Sequence, residues 1–307
     1  MSGERRAWVL NLDAEHELEA AHRYAPTQAL RAIVARERRR LIGNLVAPGD
    51  VVLGEDELDA DDGRAQGLVG LAWCPTPRAI ARLAAAGATV PRSPGLEVLR
   101  TANTRAFAVQ VRRPLARSSF AKNVAASLDE VVARLARPAT LGWLVRRSFG
   151  AAGRGRRRVA AGAPSDADRA WLVASLRLGA LVVEPWVEIT REYTRSGWVR
   201  PGGEVVIAPP CFQATTASGA WIETAAARRG EVPRSDDLRL QESVETAGRA
   251  LADAGYFGPF GIDAFRYRAG EREELNPLSE INARFTMDWT AGMGERAPER
   301  RSSERMP

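Results

Sequence analysis

Residues 255–289, with the sequence GYFGPFGIDAFRYRAGEREELNPLSEINARFTMDW, decide the fold of this chain. The stretch predicts two β-strands, residues 260–268 and residues 274–284, joined by a turn at residues 269–272. Gly270 in that turn can adopt the positive φ that tight turns often need. We therefore predict a β-hairpin in this part of the chain.

Acidic and amide side chains gather on one face of the predicted hairpin. If the hairpin is symmetric about residues 271–272, Asp263 lies directly opposite Glu280. Because strand side chains alternate between faces, Glu280, Asn282 and Arg284 point the same way. Unpaired like charges across a ladder are destabilising, so we predict a cation between the carboxylates. Oxygen ligands without Cys or His favour Mg²⁺ or Mn²⁺.

A simpler interpretation pairs Asp263 and Glu280 with some of the many arginines of the chain. The string Glu280-x-Asn282-x-Arg284 argues against it, because a neutral oxygen ligand two residues after a carboxylate has little use in a salt bridge. In these residues the hairpin resembles the ATP-grasp superfamily. The last core strands of that superfamily carry an Asp and then Glu-x-Asn as magnesium ligands.

The composition of the whole chain is that of a soluble globular protein. Its 307 residues are enough for two or three packed lobes, and 45% of them are hydrophobic. No apolar run approaches the roughly 20 residues of a membrane span. The first residues contain no apolar segment typical of a signal peptide. We therefore expect a cytoplasmic protein without membrane contact.

The formal charge of +6 and the pI of about 10.1 raise the question of nucleic acid binding. Nearly all basic residues are arginine, with Lys122 as the single lysine, and they are spread along the chain. The aromatic and basic interleaving of RNA-binding motifs is missing. The pattern argues against nucleic acid as the main partner.

Cysteine and histidine are not expected to bind a metal. Cys74 and Cys211 lie far apart and lack a CxxC spacing, so we predict that they are packing residues. His16 and His22 are six residues apart and do not share a helix face well.

Residues 1–95 predict a small α/β lobe. Apolar runs at residues 8–12 and 51–53 favour buried strands. Thr76 and Pro77 are typical of a helix start, with a capping hydroxyl before a first-turn proline. This pattern is common in doubly wound lobes and is similar to the lobe that precedes an ATP-grasp core.

A phosphate-binding segment is predicted at residues 143–155, where an apolar strand ends in Arg146. The loop that follows holds Gly150, Gly153 and Gly155 among small residues, which let backbone N–H groups approach phosphate oxygens. A plain hairpin turn is the alternative. The segment resembles the strand, lysine and glycine-rich flap that cover the β- and γ-phosphates in ATP-grasp proteins.

The resemblance assigns three arginines to the nucleotide phosphates. Arg146 stands where the superfamily usually has lysine, and a guanidinium can still hold phosphate through two hydrogen bonds. Arg154 lies in the flap. Arg105, in a connecting helix predicted at residues 97–111, stands near the place of a second phosphate-binding lysine. An exposed helix arginine is the alternative for Arg105.

Residues 181–187 predict a buried strand that ends where the chain would cross between lobes. In ATP-grasp proteins this position is the hinge that binds adenine through backbone groups. The resemblance implies that Trp186 and Val187 supply this backbone and that Glu184 meets the ribose. Glu192 matches an acidic residue that opens the next strand, with a salt bridge to a neighbouring arginine as the alternative.

Three further segments carry simpler expectations. Residues 211–223 are polar without clear periodicity, so we expect a loop, which in ATP-grasp proteins often faces the second substrate. Apolar residues at helical spacing predict a helix at residues 238–254. The polar tail, residues 294–307, is expected to be disordered.

The resemblance implies an α/β (α+β) ATP-grasp fold with a division into lobes. A small Rossmann-like lobe, residues 1–95, precedes an ATP-grasp domain, residues 96–293. Its two lobes, residues 96–183 and 184–293, would grip the nucleotide.

The resemblance also implies a reaction. An ATP- and Mg²⁺-dependent ligase would phosphorylate a small-molecule carboxylate, and an amine or less often a thiol would attack the acyl phosphate. Asp263, Glu280 and Asn282 would hold Mg²⁺ (or Mn²⁺). Arg284 and Arg146 would be the catalytic arginines, Arg284 on the γ-phosphate or the substrate carboxylate and Arg146 on the α- and β-phosphates.

Two other functions stay open at this point. A phosphotransferase of the same fold would phosphorylate an alcohol and release no free phosphate. A protein that binds ATP without catalysis is the other. The sequence names neither the acyl donor nor the acceptor, and a homodimer is possible.

Overall fold

Three lobes, each built on one β-sheet, make up the part of the chain that the computed structural model describes. In chain order they are an amino-terminal lobe, a first lobe and a second lobe. The sheets of the first and second lobes meet at a surface that we call the lobe interface. This surface carries Arg146, Glu184, Asp263 and Glu280. The described residues are 5–20, 24–54, 63–115, 120, 123–150, 155–216, 219 and 221–298.

The amino-terminal lobe has a parallel sheet with the strand order β2-β1-β3. The predicted helix start at Thr76 is confirmed, because its hydroxyl accepts a hydrogen bond from the Ala79 N–H. Pro77 occupies the first turn, where a missing N–H costs nothing. The elements are β1 (Arg6–Val9), α1 (Ala14–Ala20), α2 (Gln28–Leu41), β2 (Val51–Val52), β3 (Val69–Ala72) and α3 (Pro77–Ala85).

The single connecting helix expected at residues 97–111 is wrong, because the structure has two helices, α4 (Leu96–Ala102) and α5 (Arg105–Arg112). Asn103 is the C-cap of α4, and Thr104 is the N-cap of α5. Its side chain accepts from the Phe107 N–H at 3.1 Å, a typical N-cap bond. Arg105 therefore stands at the first position of a helix instead of in the middle of one.

The first lobe has an antiparallel four-stranded sheet in the order β4-β7-β5-β6. The predicted strand that ends in Arg146 is confirmed as β5. Ser165 begins the long helix of this lobe with a capping box in which Asp168 bonds back to the Ser165 N–H. The elements are β4 (Val124–Ala125), α6 (Leu128–Leu135), β5 (Trp143–Arg146), β6 (Arg156–Val159), α7 (Asp166–Leu176) and β7 (Leu181–Pro185).

The second lobe has a six-stranded antiparallel sheet in the order β11-β10-β8-β12-β13, with β9 paired to β8. The helix predicted at residues 238–254 is confirmed, although the observed helix begins earlier, at Arg234, and ends at Asp253. It packs on this sheet. The elements are β8 (Ile189–Val199), β9 (Val205–Ile207), β10 (Cys211–Thr215), β11 (Trp221–Ala226), α8 (Arg234–Asp253), β12 (Gly258–Ala269), β13 (Arg272–Asn282) and α9 (Trp289–Met293).

The loop expected at residues 211–223 is wrong, because these residues supply β10 and the start of β11. β10 pairs with β8, with Phe212 opposite Tyr193. The two rings lie 5.7 Å apart. Partners about twenty residues away in sequence hold this segment in a sheet, and such pairing leaves no periodic signal in the segment itself.

The predicted pairing of Asp263 with Glu280 is confirmed in the β12–β13 hairpin. The hairpin is not symmetric about the turn, however, as the prediction assumed. The turn closes at Ala269 and Arg272, so it is centred on residues 270–271 and not on residues 271–272. The ladder then shifts register, because residues 277–279 of β13 face only Ala264 of β12. Such a bulge suits a strand that contains proline, and it restores the predicted pairing.

One hydrophobic core joins the amino-terminal and second lobes. The rings of Trp8 and Phe285 lie 5.3 Å apart, and those of Phe285 and Trp289 lie 5.0 Å apart. Leu99 of α4 and Val111 of α5 also belong to this core. Residues 96–112, which the sequence analysis assigned to the first lobe, therefore pack with the other two lobes. The first lobe has a separate core.

The disordered tail expected at residues 294–307 is wrong in its first part. Gly294–Arg296 form a 3₁₀ helix, and Ala297 is buried in the shared core. Residues 299–307 lie outside the described part of the chain. Among the described helices, none is both long and apolar enough to cross a membrane.

Candidate functional site

The candidate site is built by strands from both lobes and by the amino end of α5. β5 and β7 of the first lobe present Arg146 and Glu184, and β12 and β13 of the second lobe present Asp263 and Glu280. Arg105 begins α5 and contacts both the segment that follows β5 and Glu280 of β13.

The three predicted metal ligands converge as the sequence analysis expected. Asp263 and Glu280 are direct cross-strand partners, so their side chains project from the same face. Asn282 Nδ2 donates to Asp263 Oδ2 at 3.1 Å. Arg284 lies beyond the end of β13, yet its Nη2 donates to Asn282 Oδ1 at 3.1 Å, which keeps it beside the other three.

Asp263 is partly buried, and Glu280 and Asp288 add an excess of negative charge around it. Burial, then Glu280 and Asp288, raise its pKa to about 7, against the opposing effects of Asn282 and Arg284. Among the described residues Asp263 has no ion pair with an arginine. A divalent cation would relieve this excess. The donor set suits Mg²⁺, with two carboxylates and the Asn282 amide oxygen as hard ligands.

Carboxylates alone would not reveal this site. The described residues contain no group of three or more His, Cys, Asp or Glu side chains that could hold a metal ion. In the predicted ligand set the third oxygen donor is the amide of Asn282. The Glu-x-Asn string is the signal that finds it.

Glu280 is also an ion-pair partner of two arginines of the site, so the simpler interpretation holds for one of the two carboxylates. Its Oε1 lies 3.1 Å from Arg105 Nη2 and its Oε2 lies 3.6 Å from Arg146 Nη1. These contacts connect the metal-ligand strand to the phosphate-binding arginines predicted from the sequence.

Glu184 lies inside a buried chain of charges. Its Oε2 accepts from Arg146 Nη2 at 2.5 Å, and its Oε1 accepts from Arg112 Nη2 at 2.6 Å. Burial raises the pKa of Glu184, but Arg146 and Arg112 outweigh it, so the net shift is downward. Both carboxylate oxygens are thus engaged by arginines, and in this structure Glu184 holds Arg146 in place.

Arg146 is charged despite its burial. Burial lowers its pKa, but the carboxylates of Glu184 and Glu280 outweigh this effect and the net shift is upward. Arg146 is therefore a fixed cation whose guanidinium faces Glu280 of the second lobe.

Arg105 is buried, so the alternative of an exposed helix arginine is wrong. Its Nη1 donates to the Arg147 carbonyl and its Nη2 to the Gly150 carbonyl, each at 2.9 Å. Burial lowers its pKa, and Glu280 opposes this shift. Arg105 thus anchors the start of the predicted phosphate flap.

The base of the flap is closed by the Arg147 N–H, which donates to the Gly155 carbonyl at 2.8 Å. Gly150 and Gly155 therefore stand at its two ends. Gly153 and Arg154, which the sequence analysis assigned to the nucleotide, lie outside the described residues.

The predicted hinge follows β7. The Trp186 N–H donates to the Gly142 carbonyl at 2.9 Å, and the Arg158 guanidinium lies 5.3 Å from the centre of the Trp186 ring. Val187 comes next, before β8 begins. Glu192 on β8 accepts from the Thr215 hydroxyl at 2.8 and 3.0 Å, so a hydroxyl of β10 is its partner.

Sequence reasoning missed three residues of the site. Glu15 of the amino-terminal lobe accepts from Arg284 Nε at 2.6 Å, and Arg112 completes the charge chain on Glu184. Arg156, the cross-strand partner of Arg146, is the third. Its position opposite Arg146 follows from the antiparallel pairing of β5 with β6, so the alternative of a hairpin at this segment is the signal that could have found it.

The cysteines are buried, as predicted for packing residues. Burial raises the pKa of the Cys211 thiol to about 12, with Asp288 adding to the shift. Burial also raises the pKa of Cys74. Both thiols are thereby kept protonated and unreactive.

Comparisons of the sequence with known proteins found no relative. No protein-family model matches the chain, and no curated protein matches it.

Comparison of the fold gives clear similarities to solved structures. Biotin carboxylase from Campylobacter jejuni has a TM-score of 0.56 at 13% identity, covering 94% of this chain and 67% of that one. D-alanyl-alanine synthetase A from Vibrio cholerae has a TM-score of 0.52 at 14% identity, covering 92% and 90%. N5-carboxyaminoimidazole synthetase from Staphylococcus aureus, complexed with ADP, has a TM-score of 0.51 at 11% identity, covering 93% and 72%. These are ATP-grasp enzymes, and the chain has the ATP-grasp fold.

Proposed function

We propose that this ATP-grasp chain is an ATP- and Mg²⁺-dependent ligase that activates a small-molecule carboxylate as an acyl phosphate for attack by an amine. One observation carries the proposal: Glu280, beside Asp263 and Asn282 on the second lobe, contacts Arg105 and Arg146. The residues proposed to hold the metal therefore lie beside the arginines proposed to bind phosphate, and phosphoryl transfer requires both functions at one place.

Asp263, Glu280 and Asn282 would hold Mg²⁺ against the nucleotide phosphates. When bound, the ion would offset charge that develops on the transferred phosphoryl group. Asp263 has to be ionised for this task, and its pKa of about 7 makes its affinity for a metal sensitive to pH.

Arg146 would hold α- and β-phosphate oxygens, and Glu184 and Arg112 would fix its orientation. Arg105, bonded to the Gly150 carbonyl, would hold that end of the flap near the same phosphates. In this proposal Glu184 acts through Arg146, since both of its carboxylate oxygens are bonded to arginines.

Arg284 would bind the substrate carboxylate or the γ-phosphate and stabilise the oxyanion of acyl transfer. Glu15 would hold it in position, with its Oε1 2.5 Å from Arg284 Nη2. The Trp186 carbonyl and the Val187 backbone would bind adenine, since the Trp186 N–H is bonded to Gly142, and Glu192 would contact the nucleotide from β8. The β10–β11 hairpin would face the second substrate.

The test is nucleotide turnover with Mg²⁺ and pooled small carboxylates and amines, with ADP and free phosphate measured separately. Equal amounts of ADP and phosphate that depend on both pools are expected of the ligase. Formation of ADP without free phosphate would contradict the ligase and indicate a phosphotransferase.

A second candidate, an ATP-binding protein without catalysis, is favoured by one observation. Arg146 stands where the superfamily usually has lysine and is tied to Glu184 at 2.5 Å. Stabilisation of the protein by MgATP, without any ADP from either pool, would select this candidate.

A further inference from the structure

Arg156 on β6 is the direct cross-strand partner of Arg146 on β5. Opposed residues of an antiparallel pair project from the same face of the sheet, and like charges in that position are destabilising. Glu184 on β7 serves as the counter-ion of Arg146 on this face. Two guanidinium groups on neighbouring strands therefore point from the first lobe into the lobe interface.

Arg156 also reaches the second lobe. A Cβ built on Gly219 would lie 2.6 Å from Arg156 Nη1 and 3.0 Å from its Nη2, so the guanidinium lies directly against this glycine. Gly219 stands between β10 and β11 of the second-lobe sheet. Only a residue without a side chain leaves this space to the arginine.

The charges that act on Arg156 come from both lobes. Burial and then Arg146 lower its pKa, while Glu280 and Glu192 raise it. Glu280 belongs to the metal-ligand strand and Glu192 to β8. The electrostatic environment of Arg156 thus comes from charged groups of the candidate site.

The first-lobe sheet presents these groups in a fixed order. β7, which leads to the hinge at Trp186, lies beside β5, and β6 forms the edge. Neighbouring strands are about 4.8 Å apart, so Arg156 lies one strand farther from the hinge than Arg146. The next step rests on the proposed function, in which adenine binds at the hinge and the phosphates extend toward the flap.

We propose that Arg156 binds the terminal phosphate of the nucleotide and thereby distinguishes ATP from ADP. A guanidinium can hold phosphate oxygens through two parallel N–H donors. The γ-phosphate is the next anionic group beyond those that Arg146 holds. Placed between Arg146 and Arg156, it offsets the repulsion between the two cations.

The test is titration calorimetry of the whole chain in the presence of Mg²⁺. It compares the binding of two ligands, ADP and the β,γ-imido analogue of ATP. We expect Arg156→Gln to weaken binding of the ATP analogue roughly tenfold and to leave the dissociation constant of ADP within about twofold. Arg156→Lys should recover part of the loss, because it restores the charge without the paired donors. Thermal melting confirms that each variant is folded.

A second pair of variants tests the position of the side chain. Gly219→Ala places a methyl group where the Arg156 guanidinium lies, and we expect it to weaken binding of the ATP analogue more than binding of ADP. Gly230→Ala is the matched control, because Gly230 also has a positive φ of 82° but has no heavy atom within 4 Å of a built Cβ. It should leave both affinities unchanged.

Three results would overturn the inference. The first is an equal loss of affinity for both ligands in Arg156→Gln. The second is no loss of affinity for either ligand in that variant. The third is the same pair of affinities in Gly219→Ala and Gly230→Ala. The first two leave the proposed function standing, provided that the wild-type protein binds both nucleotides. A wild-type protein that binds neither nucleotide removes the proposed function and this inference together.

Discussion

Arg146 donates a hydrogen bond of 2.5 Å from Nη2 to Oε2 of Glu184, and both side chains are buried at the lobe interface. Arg112, which is fully buried, occupies the other oxygen of the same carboxylate. Arg146, which stands at the usual place of the ATP-grasp lysine, is therefore part of a buried ion-pair network. The orientation of its guanidinium depends on Glu184, which is not one of the proposed metal ligands.

Replacing Glu184 by Gln should destabilise the protein by about 3–5 kcal/mol, because two buried arginines lose their charged partner. Urea unfolding measures the change in the free energy of unfolding. Glu192→Gln is the control, since Glu192 bonds only to the Thr215 hydroxyl among the described residues, and it should cost about 1 kcal/mol or less. Equal stability of both variants would contradict the role given to Glu184.

Replacing Glu280 by Gln should reduce ADP formation by about two orders of magnitude or more, because one charged metal ligand is lost. Stabilisation of the protein by MgATP in thermal melts should fall as well. Glu188→Gln removes a carboxylate from an exposed ion pair with Arg268 and should change neither quantity. Normal turnover in Glu280→Gln would remove the metal-site assignment.

The raised pKa of Asp263 predicts a pH-dependent stability in protein freed of divalent cations. Its folded-state pKa of about 7 lies above the value of about 3.9 in unfolded chains, so the folded protein binds this proton more tightly. The contribution is fully present below about pH 4 and is lost as pH rises to about 7. The stability of wild type relative to Asp263→Asn should fall across this window, by up to about 1.4 kcal/mol per pH unit.

Denaturant unfolding of both proteins at several pH values measures this difference. Mg²⁺ added above pH 7 should stabilise wild type and leave Asp263→Asn unchanged. Parallel pH profiles for the two proteins would show that Asp263 ionises as an ordinary exposed carboxylate.

Replacing Gly197 by Ala should destabilise the second lobe by about 1–3 kcal/mol through overpacking. A Cβ on Gly197 would lie 2.5 Å from the Phe260 ring, in the middle of the shared core. Gly202→Ala is the control, because no heavy atom lies within 4 Å of its built Cβ. If calorimetric melting temperatures of both variants match wild type, β8 and β12 do not pack as described.

The parts of the site that depend on local pattern could be predicted from the sequence. Alternation along two adjacent strands put Asp263, Glu280 and Asn282 on one face, and the apolar run before Arg146 marked the end of a strand. The turn was misplaced by one residue, and the bulge at residues 277–279 corrected the register. A sequence pattern specifies which residues share a face more firmly than it specifies turn geometry.

The parts that depend on distant partners could not be predicted. Glu184 meets Arg112 across 72 positions of sequence, and no spacing rule links the two. Arg284 meets Glu15 across 269 positions. For the same reason residues 211–223 lacked a strand signal, since β8 supplies their partners. The break between α4 and α5 was missed although the sequence contains a signal for it, because the hydroxyl of Thr104 is a typical helix cap.

The shared core described above divides the protein into cooperative units that do not follow the order of the chain. Trp8 and Trp289, from opposite parts of the sequence, both pack on Phe285 and should unfold in one transition. The first lobe, from the middle of the chain, has its own core and can open as a separate unit. Removing residues 1–95 would thus leave an apolar surface uncovered on the last hairpin, and the remaining chain should aggregate instead of folding as an independent domain.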